Sequence, residues 1–146
     1  MDTRAAMQGA VAGVAATAAM SAVMVAGSRA GLMRDQPPKR IARKVLLRAK
    51  YRRRPGEGVL GAVTHFGFGA TAGAVFGLAT RRGKANMPLG VAYALGIWLA
   101  GYQGWVPGLN ILPPLHRDRP GRRLVMGAGH VVYGVALVAA LNRLRA

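Results

Sequence analysis

Four stretches of this chain carry no charged residue, and this constrains its fold more than any other feature. No Asp, Glu, Lys or Arg occurs between Ala5 and Ser28, Gly58 and Thr80, Ala85 and Leu115, or Leu124 and Asn142. A bilayer core about 30 Å thick needs about 20 mainly apolar residues per helix. A soluble helical protein would instead place charges along the exposed face of each helix. The runs predict an all-α chain, a four-helix transmembrane bundle with helices at about 5–27, 59–79, 87–105 and 123–141. The 146 residues suffice for one membrane domain, 1–146.

The charges are concentrated between these runs. Lys and Arg number 21 against 4 Asp and Glu, a net charge of +17. Such a balance first suggests nucleic acid as a partner. Confinement of the charges to short loops argues for topology instead, with no nucleic acid bound. Eleven basic residues lie from Arg29 to Arg54, and four more are Arg117, Arg119, Arg122 and Arg123. Only Arg4, Arg81, Arg82, Lys84, Arg143 and Arg145 fall on the other side. Basic loops stay in the cytoplasm, so both termini are expected outside. There is no cysteine, which excludes disulfides and thiolate metal sites. The first run is long and lacks a cleavage region at Arg29 to Arg34, which predicts an uncleaved first helix.

The first long loop predicts a helix of its own. After Pro37 and Pro38, residues 39–54 read KRIARKVLLRAKYRRR. Ile41, Ala42, Val45, Leu46 and Ala49 fall within about 140° of a helical wheel. Prolines suit a first turn. A basic amphipathic helix beside a span lies in the interface on anionic lipids. Lys39, Arg40, Arg43, Lys44, Arg48, Arg52, Arg53 and Arg54 are the expected head-group contacts.

Within the runs, small residues recur every fourth position. The first helix has Gly9 and Gly13, then Thr17 and Ser21. The second has Gly61, Gly69, Gly73 and Gly77 in line with His65. The third has Ala92, Gly96, Ala100 and Gly104, and the fourth aligns His130 with Gly134. Small residues at this spacing let helix backbones approach closely in lipid. Gly9, Gly13, Gly61, Gly69, Gly73, Gly77, Gly96 and Gly134 are the expected packing positions.

Two of the three histidines stand in matching contexts. THFGFG, residues 64–69, and GHVVYG, residues 129–134, both contain His-x-x-aromatic-Gly. Each follows a basic loop that opens with Gly-Leu and then Pro-Pro: Gly31, Leu32, Pro37 and Pro38, then Gly108, Leu109, Pro113 and Pro114. This order predicts a tandem duplication of a helical hairpin, with the copies related by an axis along the membrane normal. His65 lies eight residues from Glu57 and His130 seven from Arg123, so both imidazoles are expected at similar depth.

Val63-Thr64-His65, Pro113-Pro114-Leu115 and Gly129-His130-Val131-Val132 resemble segments of the YagU-like bacterial inner-membrane proteins. The resemblance covers mainly the second to fourth helices. It implies a small multi-pass helical bundle in a bacterial inner membrane, with a contribution to acid tolerance. It transfers no catalytic residue.

A polar residue inside a membrane is a functional candidate, because its desolvation is costly. The plainer reading of His65 and His130 is a pair of neutral imidazoles hydrogen-bonding across helices. The alternative is a cofactor or proton-linked site, with haem b held between the two imidazoles. No other metal is expected, since two His without nearby Asp, Glu or Cys leave the coordination short. No charge-free run contains an acid, and Asp118 between Arg117 and Arg119 reads as a solvated basic turn. The expected role is therefore a non-enzymatic structural or accessory membrane component, alone, as a homo-oligomer or in a larger complex.

Overall fold

The computed structural model describes residues 2–33, 37–41, 56–83 and 85–146. Among these the chain is all helical, with no strand. Four long helices form the body: α1 Thr3–Arg29, α3 Glu57–Ala79, α4 Met87–Gln103 and α6 Pro120–Arg145. Two short ones join them, α2 Pro37–Ile41 and α5 Trp105–Gly108, with a 3-10 turn at Leu115–Arg117. Residues 42–55 lie outside the described residues, so most of the expected interfacial helix does too. With it go Arg43, Lys44, Arg48, Arg52, Arg53 and Arg54, and the side chains of Lys39 and Arg40.

Local chemistry sets the helix ends. Asp2 caps α1 by accepting from the Ala5 N–H at 3.1 Å, and Asn86 caps α4 by accepting from Leu89 N–H at 2.9 Å. Such caps satisfy amides left without a partner in the first turn. Pro120 opens α6, where its missing N–H is harmless. The third helix ends at Gln103 rather than at 105. Gly104 leaves helical backbone at φ −97° and ψ −111°, and Pro107 has no N–H to bond the Gln103 carbonyl four residues before it.

α1, α3 and α6 are each long and apolar enough to cross a membrane. α4 has 17 residues, at the short end of the roughly 17–25 that span a bilayer. Many apolar side chains face outward, such as Val63, 62% exposed, and Leu124, 65% exposed. Inverted exposure of this kind suits lipid as the surrounding solvent.

Glycines bring the helices into backbone contact. A methyl group added at Gly73 would stand 2.7 Å from the Gly13 Cα, and one at Gly77 would stand 2.9 Å from the Gly9 Cα. α1 and α3 therefore cross at near-minimal distance. α4 and α6 close in the same manner: a methyl at Gly134 would meet the Gly90 carbonyl oxygen at 2.5 Å. The expected stripe on α4 does not make this contact. Ala92, Gly96, Ala100 and Gly104 all face outward, and Gly96 has no atom within 4 Å of an added methyl. α4 packs instead through Gly90 and Ala94, both buried. A four-residue stripe marks a face that can pack, and α4 carries two such faces.

The two crossings are equivalent in sequence. The same 77 residues separate Gly31 from Gly108 and Gly13 from Gly90. The same 65 residues separate His65 from His130 and Gly69 from Gly134. Gly13 approaches Gly69 in one hairpin, and Gly90 approaches Gly134 in the other. The hairpins differ in how they meet. α1 packs along α6, whereas α3 and α4 make no comparable backbone approach among the described residues. Tyr93 bridges these two: its hydroxyl donates to the Ala72 carbonyl at 2.8 Å, and its ring lies 5.0 Å from that of Phe76.

Candidate functional site

A cavity of about 260 Å³ opens where α3 and α4 stand apart. Thr64, His65 and Phe68 line it from α3, and Ile97, Trp98, Gly101 and Tyr102 from α4. Met20 and Met24 of α1 and Met126 and His130 of α6 form its inner wall. Pro37, Pro38, Ile41 and Leu112 close the end nearest the long loops. Phe68 is 56% exposed, so the cavity reaches the outer apolar surface beside it.

The structure brings His65 and His130 together on this one cavity. They lie neither on opposite outer faces nor in separate compartments. Met20 and Ile97, 77 residues apart, also line it together, as do Met24 and Gly101 at the same separation. Residues at matching positions of the two hairpins thus line one cavity. A smaller void of about 30 Å³ shares both histidines and extends toward Thr17, Gly69 and Tyr133.

The two imidazoles differ in bonding. His130 Nδ1 lies 2.7 Å from the Met126 carbonyl oxygen. A carbonyl only accepts, so Nδ1 carries the proton and Nε2 keeps its lone pair. The indole of Trp98 stacks on the His130 ring at 5.9 Å and 27°, which fixes its plane. His65 Nε2 is enclosed and has no hydrogen-bond partner among the described residues; the same is true of Trp98 Nε1. Buried polar atoms are usually satisfied, and two orphans beside one cavity point to a function or a ligand there.

A second polar cluster lies beside the cavity. The Tyr102 hydroxyl donates to the Asp118 carboxylate. Arg122 Nη1 donates to Asp118 Oδ1 at 2.8 Å, and the Arg119 amide donates to the same oxygen at 2.7 Å. Tyr102, Asp118 and Arg122 are all buried. This corrects the expectation of a solvated basic turn. The 3-10 turn folds Asp118 inward, where the following turn of α6 supplies Arg122 as its counter-ion. His116 is exposed, as its place in the loop suggests.

Of the expected packing glycines, Gly9, Gly13, Gly69, Gly73, Gly77 and Gly134 sit at helix crossings. Gly61 is buried beside a further pocket with His65 and Phe66. The sequence marks neither the methionines nor the pairing of Tyr102 and Arg122 with Asp118, and it places Trp98 only as a deep side chain in core packing or facing lipid. Met126 and His130 at four-residue spacing on one helix face were the available signal.

Fold and cavity together define a helical bundle with three membrane-length helices, closed by glycine contacts around an internal apolar cavity. The chain belongs to DUF6789, a family of unknown function, whose model matches residues 3–146. No curated protein and no solved structure matches it.

Proposed function

We propose that this chain is a non-enzymatic accessory protein of a bacterial inner membrane that holds a small ligand around His65 and His130. One observation carries the reading: equivalent histidines of two like hairpins line a single apolar cavity. Apolar pockets with a few placed polar groups are the usual form of small-ligand sites. The likeness to YagU-like proteins supports the inner-membrane location. The basic loops, with Lys39 and Arg40 at the start of the interfacial segment, face anionic lipids in the cytoplasmic leaflet, and both termini lie outside. α4 is the fourth span. Purification in mild detergent followed by native mass spectrometry tests the reading: a bound mass released by His65→Ala plus His130→Ala supports it. A wild-type protein that carries and takes up nothing overturns it.

Haem b is the second reading, favoured by the His130–Met126 hydrogen bond. A histidine that donates its Nδ1–H to a carbonyl presents Nε2 as a metal ligand. An absorption spectrum after haem-replete expression decides it, because a protein without a Soret band holds no haem.

A further inference from the structure

The cavity wall contains thioethers as well as imidazoles. Met20 and Met24 stand four residues apart on α1, and Met126 and His130 four apart on α6. Such pairs share one helix face. All three methionines are buried and line the cavity that His65 completes. Among the described residues no carboxylate lines it, and Asp118 is already engaged by Arg122 and Tyr102. Among the described residues no group of three His, Cys, Asp or Glu could hold a metal. Counting thioethers changes that arithmetic: up to five soft or borderline donors face one space.

The chemistry of the donors selects the ion. Thioethers favour Cu(I) among biological metals, whereas Mg, Ca and Mn prefer oxygen. Charge points the same way. All five donors are neutral, so a bound ion keeps its full charge in an apolar cavity. Burying uncompensated charge is costly, and a monovalent ion leaves least of it. The lone pair on His130 Nε2 and the enclosed, unpartnered His65 Nε2 supply the nitrogen donors.

We propose that the cavity is a Cu(I) site formed by His65, His130 and thioethers from Met20, Met24 and Met126. The proposal rests on the reading of this cavity as a ligand site and names its ligand. The full chain in detergent or nanodiscs is titrated anaerobically with Cu(I) against a chromophoric Cu(I) chelator. One Cu(I) per chain is expected, with sulfur and nitrogen neighbours in its X-ray absorption spectrum. Met20→Leu and Met126→Leu preserve volume and should each weaken retention at least tenfold, as should His130→Gln. His116→Ala, on an exposed residue that does not line the cavity, should leave retention unchanged. Thermal melts of the variants separate loss of binding from loss of fold. Absence of uptake, or uptake unchanged in all three cavity variants, overturns the Cu(I) site. Native mass spectrometry separates the two ideas. An organic molecule or haem in place of copper sinks Cu(I) but preserves the ligand-site reading, whereas a wild-type protein that binds nothing sinks both.

Discussion

The Tyr133 hydroxyl donates to the Gly69 carbonyl oxygen at 2.9 Å. The aromatic residue of one His-x-x-aromatic-Gly motif thereby bonds the glycine of the other. This bond spans α6 and α3 directly beneath the two histidines. Its counterpart in the first motif, Phe68, has no hydroxyl and stands at the cavity mouth. Hydrogen bonds between membrane helices are worth about 0.6 kcal/mol on average and at most about 1.7. Tyr133→Phe should therefore lower stability by about 1 kcal/mol, read as a small fall in melting temperature in detergent. An unchanged melt would show that the bond contributes nothing.

Glycine positions should divide sharply by contact. Gly73→Ala forces a methyl against the Gly13 Cα at 2.7 Å, where neither backbone can yield cheaply. Overpacking of this kind costs about 1–3 kcal/mol or more. Gly96→Ala meets nothing and raises helix propensity, so it should be neutral or slightly stabilising. Parallel melts of the two variants make the comparison; equal effects would mean that α1 and α3 do not cross at Gly13 and Gly73.

Asp118→Asn should destabilise the fold strongly. It leaves the buried Arg122 guanidinium without its counter-ion. Removing one partner of a buried pair costs roughly 3–5 kcal/mol. For a chain of this size that corresponds to a fall of roughly 10 °C in melting temperature. Tyr102→Phe removes one hydrogen bond and no charge, so its effect should be several times smaller. A fully tolerated Asp118→Asn would contradict the buried pair.

Arg145 ties the last helix to the end of α3. Its Nη1 donates to the Thr80 and Gly83 carbonyls at 2.9 and 3.0 Å, and its Nη2 to that of Gly77 at 2.7 Å. A cation there satisfies terminal carbonyls and complements the helix dipole. Arg145→Ala should cost about 1–2 kcal/mol and speed hydrogen exchange at the C-terminal end of α3. Arg143→Ala, on an exposed residue, serves as the control and should leave exchange there unaltered.

Helix number was legible from the uncharged runs, and the matching motifs set His65 and His130 at similar depth without saying whether they share a space. Those features are properties of spacing, which helix geometry converts directly into direction. The packing face of α4 was not legible, because Gly90 and Gly96 look alike in sequence and only the partner helix distinguishes them. Asp118 was misread for a related reason. Flanking arginines suggested solvent, but burial depends on the way the 3-10 turn folds it under Tyr102. The methionines carry no signal in sequence, because thioethers are also ordinary core filling. Their meaning comes from what shares the cavity with them.

Gly13–Gly69 and Gly90–Gly134 hold matching places in the two hairpins. Two identical hairpins packed in this way as a dimer would enclose two identical histidines and two identical aromatic residues. In such a dimer every substitution appears twice. Fusion of two copies into one chain releases that constraint. In this chain the two positions differ: Tyr133 turns inward to bond Gly69, and Phe68 stands at the cavity entrance. One motif thus closes the inside of the bundle while the other stands at its doorway.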